Sequence, residues 1–329
     1  MLILRSADVP RALPMGEAIE AVKRAYAALS AGRAEVPLRL SLPVKAHEGV
    51  SLFMPAYVQD EGGEALAVKV VSVFPHNRER ELPIIHAAVL VFEASTGRPL
   101  ALLEGGTLTA IRTGAASGAA TEVLARPESR VLALFGAGVQ GRTQIEAVCT
   151  VRPIEQVWIY DVDSARAQAL AQAVAGQGPV PPDVRVAATP RQAVAEADVI
   201  CTATTATRPV FADADLKPGV HINAIGAYTP EMAEIPPDTV ARALVVVDSR
   251  QAALAEAGDI LQPLRAGRIS EQHLHAELGE ILLGRKPGRT SPEQITLFKS
   301  VGVAVQDALT AKVALQNALE LGLGQRVTW

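Results

Sequence analysis

Residues 130–161 constrain the fold of this chain more than any other stretch. They open with a short apolar run at 131–135, continue through three glycines spaced G-x-G-x-x-G, and then show helical apolar spacing. A second apolar run at 157–160 ends in Asp161. A tightly bounded apolar run of this length is typical of a buried parallel strand. The order strand, glycine turn, helix, strand and acid therefore predicts a β-α-β unit.

The three glycines, Gly136, Gly138 and Gly141, have separate physical tasks. The first permits the tight turn, the second allows backbone to approach a pyrophosphate, and the third lets the helix pack closely on the strand. The helix N-terminus offers free N–H groups and a positive dipole end to phosphates. Asp161 can accept hydrogen bonds from a ribose 2′-hydroxyl. We therefore predict a dinucleotide site, and the alternative is a β-α-β turn with a purely structural role.

The rest of the chain shows two different patterns on either side of residue 120. Downstream, apolar runs alternate with helical segments, which predicts strands at 131–135, 156–160, 184–188, 198–203, 220–225 and 244–248, with helices near 139–150, 164–175, 190–196 and 236–242. This alternation predicts an α/β fold, the Rossmann doubly wound parallel sheet. Upstream, a helix at 14–31 precedes a mostly antiparallel region, with strands at 36–42, 50–54, 65–74, 84–92 and 100–103. A second domain of the α+β class is therefore expected.

Two further helices bear on the domain boundaries. Residues 107–124 form a helix rich in small residues, and residues 302–321 have the spacing of a long helix. The second is longer than the Rossmann sheet needs, so we expect it to return to the first domain. The predicted organisation is a substrate-binding and dimerisation domain at 1–119, joined by 302–329, and a dinucleotide-binding domain at 120–301.

Composition excludes several classes of function. The chain has 329 residues, enough for two cores, and its net charge of −4 argues against nucleic acid or an anionic membrane as the main partner. The N-terminal apolar run before Arg5 and Asp8 is too short for a signal peptide, and no stretch of about 18 apolar residues predicts a membrane span. Cys149 and Cys201 show no metal-ligand spacing, so we expect reduced core thiols in a cytoplasmic protein. The six histidines form no metal-binding pattern, and no metal is expected.

Lys69 is the most informative residue outside the glycine turn. It lies among valines in a predicted strand, and an unpaired ammonium buried there would cost several kcal/mol. One alternative is a lysine on an edge strand or facing solvent. The other is a functional lysine that pairs with a substrate carboxylate or transfers a proton at a lowered pKa. Arg112 could bind a carboxylate or a phosphate, or form a structural salt bridge. Arg39 lies within an otherwise apolar strand, where a solvent-facing role is the commoner one.

With these residues in view, the chain resembles the ornithine cyclodeaminase/mu-crystallin family nearly from end to end. The resemblance rests on the motifs at 54–56, at Lys69 with 74–77, and at 108–113, 115–117, 136–140, 221–226 and 295–302. It implies a Rossmann domain, a second domain that binds substrate, and a homodimer. It also implies that Arg39, Lys69 and Arg112 hold a substrate α-carboxylate, with Met54, Val301 and Gly302 nearby. The residues that the resemblance and the glycine spacing assign to the dinucleotide are Arg112, Gly136, Gly138, Val139, Gln140, Gly141, Asp161, Arg166, Thr202, Ile222, Asn223, Ala224, Ile225 and Ser300.

Two departures from the family pattern bear on the reaction. Where cyclodeaminases carry a glutamate this chain has Leu52, and where they carry an aspartate after a Gly-Gly pair it has Tyr228 after Gly226-Ala227. Leucine and tyrosine cannot replace two carboxylates near neutral pH. The resemblance therefore favours reduction of a small, cyclic ketimine carboxylate such as Δ1-pyrroline-2-carboxylate or Δ1-piperideine-2-carboxylate. Tyr228 would donate a hydrogen bond or form a wall of the pocket.

Three alternatives stay open at this point. They are an alanine-dehydrogenase-like amino-acid dehydrogenase, an ornithine cyclodeaminase that releases ammonia, and a non-catalytic crystallin-like binding protein. Asp161 favours NAD(H), because its charge would repel a 2′-phosphate, and Arg166 lies close enough in sequence to keep NADP(H) in view.

Overall fold

The computed structural model describes residues 1–328, with only the backbone of Arg78. The chain divides into two compact units. The first contains Met1–Arg112 and the chain from Val303 onward, and the second contains Thr113–Gly302. Helices and strands are numbered below in chain order.

The first unit is built on a mixed eight-stranded sheet. Its strands are β1 Leu2–Leu4, β2 Ala34–Glu35, β3 Leu40–Val44, β4 Gly49–Asp60, β5 Gly63–Val73, β6 Ile85–Phe92, β7 Pro99–Glu104 and β16 Gln325–Arg326. Its helices are α1 Val9–Ala12, α2 Met15–Ser30, the first part of α3 Gly105–Leu124, and α11 Ala304–Glu320. The strand order is β16-β1-β7-β6-β5-β4-β2, and β3 pairs with β4. The long helices α2 and α11 pack on each other, and α11 also packs on β4, β5 and β6.

The second unit is an eight-stranded sheet in which every pairing is parallel. Its strands are β8 Val131–Phe135, β9 Gln156–Tyr160, β10 Val184–Val186, β11 Val199–Thr202, β12 His221–Ala224, β13 Leu244–Val247, β14 Leu274–Glu277 and β15 Thr296–Lys299. Besides the rest of α3, its helices are α4 Val139–Val151, α5 Ser164–Val174, α6 Pro190–Val194, α7 Pro237–Arg242, α8 Arg250–Glu256, α9 Gly258–Arg265 and α10 Leu278–Leu282. Short 3-10 helices complete the chain at Lys45–His47, Pro75–Arg80, Asp213–Asp215 and Glu271–His273.

The strand order of the second unit, β10-β9-β8-β11-β12-β15-β13-β14, places β8 at a topological switch point. Successive side chains of β8 alternate between two separate buried clusters, with Leu132 and Leu134 in one and Ala133 and Phe135 in the other. Both faces of the sheet are therefore covered, which explains the almost continuous apolar strands. The predicted fold class, a doubly wound parallel sheet with a second α+β unit, is confirmed.

The structure also corrects parts of the sequence prediction. The strand expected at 36–42 is displaced: β2 ends at Glu35, and β3 begins at Leu40. Pro37, which cannot donate a ladder hydrogen bond, lies in the intervening segment. The parallel sheet has eight strands where the pattern predicts six, because two of the four residues in each of β14 and β15 are polar or charged, so neither forms an apolar run. Within residues 1–328, none of the helices is long and apolar enough to cross a membrane.

Candidate active site

Lys69 lies in the interior of the first unit. It is on β5, which pairs with β4 on one side and β6 on the other, and its side chain is only 2% exposed. The Lys69 Nζ atom lies 2.8 Å from Oδ2 of Asp307 on α11. Met54 is its neighbour across the β4–β5 ladder and is buried as well. The alternative of an edge or solvent-facing lysine is therefore wrong.

Arg112 shares the same carboxylate. Its Nε atom lies 3.1 Å from Asp307 Oδ1, so Asp307 bridges the two cations. The neighbouring Gln306 holds the guanidinium from the other direction, since Arg112 Nη1 donates to Gln306 Oε1 at 3.0 Å. Gln306 Nε2 in turn donates to the Arg112 carbonyl oxygen at 3.4 Å. Arg112 thus has a salt bridge, as one alternative expected, and this salt bridge fixes it beside Lys69.

The charges around Lys69 favour an anionic ligand. Burial lowers the pKa of Lys69 to about 8, and the positive charges of Arg112 and, more weakly, Arg39 add to this shift. The Asp307 carboxylate opposes it. We call Arg39, Lys69, Arg112 and Asp307 the cationic cluster. With Lys69 protonated, the buried pair Lys69 and Arg112 carries two positive charges against the single Asp307 carboxylate, and a bound carboxylate would offset the remaining charge.

Sequence reasoning missed Asp307 and Gln306. Both lie within the helix predicted at 302–321 and neither was identified as a site residue, yet both are buried. The available signal was a carboxylate immediately before Ala308, in a segment otherwise rich in alanine and valine. A buried acid requires a cationic or hydrogen-bonding partner, but separation along the chain does not specify which one.

The glycine turn of the second unit, residues 136–141, has the geometry that its spacing predicts. Gly136 has φ +98°, and a Cβ atom there would lie 2.5 Å from the Ala203 carbonyl oxygen. On Gly141 a Cβ would lie 2.4 Å from the Gly136 carbonyl oxygen, so the helix approaches the turn closely. A Cβ on Gly138 would meet nothing within 4 Å. The open space beside Gly138, at the start of α4, is where a phosphate group can approach the backbone.

Asp161 is fixed beside this turn at the end of β9. Its carboxylate accepts hydrogen bonds from the Ala137 amide at 2.7 Å and from the Asp163 amide at 2.9 Å. It lines a cleft of about 340 Å³ together with Gly136, Gly138, Tyr160, Arg166 and Thr204. The cleft begins at the glycine turn and contains the acid and the arginine that the sequence assigned to the ribose end of a dinucleotide.

Two buried polar atoms near the turn agree with a polar ligand. Gln140 Oε1, in the first turn of α4, and Thr202 Oγ1, at the carboxyl end of β11, have no hydrogen-bond partner among the described residues. Buried polar groups usually have partners, so each is available to a group from outside the protein. Val139, at the start of the same helix, is 77% exposed. The residues present therefore fit a dinucleotide.

The structure gives a different account of Ile222 and Asn223. Both are fully buried within β12, where Ile222 belongs to the apolar core. The Asn223 side chain is hydrogen-bonded at both of its polar atoms. Its Oδ1 accepts from His221 Nε2, and its Nδ2 donates to Thr121 Oγ1. Because the ligand edge begins where the strand ends, the structure leaves only Ala224 and Ile225 of this run at the edge. The side chains of Ile222 and Asn223 therefore have structural roles.

Asp248 holds the segment at 300–302. One of its carboxylate oxygens accepts from Ser300 Oγ at 2.7 Å, from the Val301 amide at 2.9 Å and from the Gly302 amide at 2.7 Å. The Ser300 hydroxyl proton is therefore committed to Asp248, and the hydroxyl oxygen accepts from the Gly302 amide at 3.2 Å. Tyr228 is 42% exposed, in the loop after β12.

These features define the class of protein: a dinucleotide-binding α/β protein with an additional α+β unit that carries the cationic cluster. The model of the ornithine cyclodeaminase/mu-crystallin family matches residues 1–322, and the chain belongs to this family. The resemblance seen in its motifs is thereby confirmed.

Several relatives are similar to this chain over almost its whole length. A Δ1-pyrroline-2-carboxylate reductase of Bacillus cereus is 43% identical over 328 residues, which cover 99% of each chain. The structure of Thermococcus litoralis Δ1-pyrroline-2-carboxylate reductase in complex with NADH and L-proline has a TM-score of 0.94 and 44% identity, covering 99% of this chain and all of that one. An archaeal alanine dehydrogenase dimer with bound NAD has a TM-score of 0.91 and 33% identity, covering 100% and 99%.

Proposed function

We propose that this protein is an NAD(P)H-dependent oxidoreductase that reduces the C=N bond of Δ1-pyrroline-2-carboxylate to L-proline. The observation that carries the proposal is the cationic cluster, in which a buried lysine and arginine share one aspartate and retain an excess of positive charge. The full-length similarity to reductases of this substrate supports the choice of imine.

The arginines of the cluster bind the substrate carboxylate. A guanidinium can form two parallel hydrogen bonds to a carboxylate, and Gln306 limits the orientations open to Arg112. Arg39, which is partly exposed, adds a second guanidinium group. Fixing the carboxylate fixes the adjacent C=N carbon, which removes orientational freedom before the reaction.

Lys69 supplies the proton. Reduction of the imine adds a hydride to carbon and a proton to nitrogen, so a proton donor is required. With a pKa lowered to about 8, Lys69 is protonated near neutral pH and releases its proton more readily than an exposed lysine. The Asp307 carboxylate then stabilises the ammonium form again when the proton is restored.

The second unit binds the dinucleotide through the glycine turn, Gln140 and Thr202, with Asp161 at the ribose. A reduced nicotinamide dinucleotide, when bound, supplies the hydride. The Asp161 carboxylate repels a 2′-phosphate, so NADH is favoured over NADPH, although Arg166 in the same cleft leaves NADPH usable. Leu52 and Tyr228 replace the two acids of the cyclodeaminases, so release of ammonia from ornithine is not expected.

A second candidate is the reductive amination of a 2-oxo acid, as in an alanine dehydrogenase. The similarity to the archaeal alanine dehydrogenase favours it, and the cationic cluster would bind a 2-oxo acid carboxylate equally well.

We also propose a homodimer. Leu38, Leu40 and Leu42, in and beside β3, are 61%, 65% and 53% exposed, and apolar side chains so close together are typical of a protein interface. The related alanine dehydrogenase is described as a dimer. Sedimentation equilibrium tests this assignment, and a single species of monomer mass would contradict it.

Location in the cytoplasm stays a prediction.

The test of the activity is a substrate panel followed by NADH and NADPH absorbance. Cyclic imine carboxylates should be reduced fastest, 2-oxo acids with ammonia more slowly, and ornithine should give no ammonia. Lys69→Ala and Arg112→Ala should each lose at least about a hundredfold in kcat/KM, because each removes a buried charged contact. Lys286→Ala, at an exposed position, is the control. Full activity of both site variants would contradict the proposal.

A further inference from the structure

Glu234 is a fully buried carboxylate at the ligand edge of the parallel sheet, in the loop between β12 and α7. Its Oε1 accepts from the Thr204 amide at 2.7 Å and from Thr204 Oγ1 at 2.8 Å. Its Oε2 accepts from the Gly226 amide at 2.7 Å and the Ala227 amide at 3.0 Å. One side chain therefore joins the loop that leaves β11 to the loop that leaves β12.

A second layer of buried charge holds Glu234 itself. The backbone amides of Glu234 and Ile235 donate to Asp259 Oδ1 at 2.7 and 3.0 Å. Asp259 Oδ2 lies 3.0 Å from Nζ of Lys299, and both of these side chains are 0% exposed. Burial and the nearby Asp259 carboxylate raise the pKa of Glu234, and the Lys299 ammonium opposes that shift.

The two loops are in close contact at this point. A Cβ atom on Gly226 would lie 2.2 Å from the Thr204 carbonyl oxygen and 2.5 Å from Glu234 Oε1. Thr204 lines the cleft that also contains Gly136 and Asp161. A displacement of the loop after β11 would therefore change the wall of that cleft.

We infer that Glu234 is a positioning residue for dinucleotide binding: by accepting four hydrogen bonds from the loops after β11 and β12, it fixes the Thr204 wall of the cleft. The inference rests on the proposed function for the identity of the ligand. All four of these hydrogen bonds are to protein groups, so loss of Glu234 should weaken dinucleotide binding and leave the hydride-transfer step nearly unchanged.

Glutamine at this position provides the first test. The NH2 group of the glutamine side chain is a donor where the second carboxylate oxygen is an acceptor. It would face N–H or O–H donors of the loops, so about half of the hydrogen bonds would be lost. We expect Glu234→Gln to raise the Kd for NADH about tenfold or more, as the loss of buried hydrogen bonds implies. The affinity for ADP-ribose, which lacks the nicotinamide, should fall by a similar factor. The value of kcat at saturating NADH and the KM for the imine should stay within about threefold. Glu231→Gln, at an exposed position of the same loop, is the matched control.

Thr204 provides a second test that places no new polar group in the interior. Thr204→Val removes the hydroxyl that donates to Glu234, whereas Thr204→Ser keeps it. The valine variant should therefore bind NADH more weakly, and the serine variant should not. In a double-mutant cycle, Thr204→Val should cost less in the Glu234→Gln background than in the wild type, because both changes disrupt the same contact.

The measurement is a direct titration with NADH in the absence of substrate, by fluorescence or calorimetry. A Kd for NADH within twofold of the wild-type value in Thr204→Val, or additive effects in the cycle, would overturn the inference. So would a fall in kcat that matches the rise in the Kd. If the wild-type protein failed to bind NADH at all, the proposed function would fail and this inference with it.

Discussion

Asparagine in place of Asp307 removes the carboxylate shared by Lys69 and Arg112 while keeping nearly the same side-chain shape. The two cations lie 2.8 and 3.1 Å from its oxygens and are themselves almost fully buried. In the wild type this carboxylate is the group that opposes the effects of burial and of Arg112 on the pKa of Lys69. Its removal must therefore lower that pKa further below about 8.

The size of the effect follows from the distance. A close opposite charge shifts a pKa by about 1 to 3 units. Starting from a pKa of about 8, the ammonium fraction of Lys69 at pH 7.5 is about three-quarters, and it falls to about a quarter after a shift of one unit. Imine reduction at pH 7.5 should thus slow by about threefold for a shift of one unit and by about two hundredfold for three. The KM for the imine should not rise, because the site gains net positive charge.

The assay is the pH dependence of kcat/KM for imine reduction. In the wild type, activity should be high below pH 8 and fall above it as Lys69 loses its proton. In Asp307→Asn this descending limb of the pH profile should move to lower pH, and activity should be recovered on acidification. Asp60→Asn is the matched control, because Asp60 is also a buried carboxylate of the first unit, lying 3.2 Å from Arg24 and 3.7 Å from Lys312. It should lower Tm without moving the limb.

Two results would refute this reasoning. One is a pH profile of Asp307→Asn that superimposes on that of the wild type. The other is an equal shift in the Asp60→Asn control, which would show that general destabilisation moves the limb. A lower Tm of the Asp307 variant alone decides nothing, since breaking a buried ion pair typically costs about 3–5 kcal/mol in stability.

Further predictions concern the binding residues. Gly138→Ala should keep the wild-type Tm but weaken NADH binding at least about tenfold, because its Cβ fills the space left for a phosphate. Gly141→Ala should instead lower Tm, because its Cβ would lie 2.4 Å from a carbonyl oxygen. Thermal melts and NADH titrations of both variants check this. Asp161→Ser should shift the ratio of kcat/KM for NADPH over NADH upward about tenfold or more by removing the charge opposite a 2′-phosphate, and an unchanged ratio would contradict that role. Arg112→Lys should raise the KM for the imine by roughly 10- to 100-fold, since an ammonium cannot form the paired hydrogen bonds of a guanidinium, and steady-state kinetics with a KM near the wild-type value would show that Arg112 is not the carboxylate ligand.

Local patterns were sufficient to predict most elements of the parallel sheet. The strands predicted at 131–135 and 156–160 match β8 and β9 residue for residue, and the helix near 139–150 corresponds to α4. These segments are predictable because a strand buried on both faces must be apolar throughout, and because the glycines have steric tasks at fixed positions. The short strands β14 and β15 were not predicted, since two of the four residues in each are polar or charged and neither forms an apolar run.

The site was only partly predictable. Lys69 and Arg112 stood out because a charge within an apolar segment requires a partner, and the family motifs pointed to the same residues. The partner itself, Asp307, lies far along the chain on α11, and no local pattern connects a strand lysine to one acid among many.

What the sequence determined by itself was the set of elements whose rules act over a few residues: the glycine turn, the apolar strands and the charges that could not be buried alone. Tertiary structure decided which groups meet. It joined Lys69 and Arg112 through Asp307, placed Asn223 in an internal network, and made Glu234 the acceptor of four donors from two loops. The physical reason is that pairing energies and pKa shifts depend on distance in space, which separation along the chain does not specify.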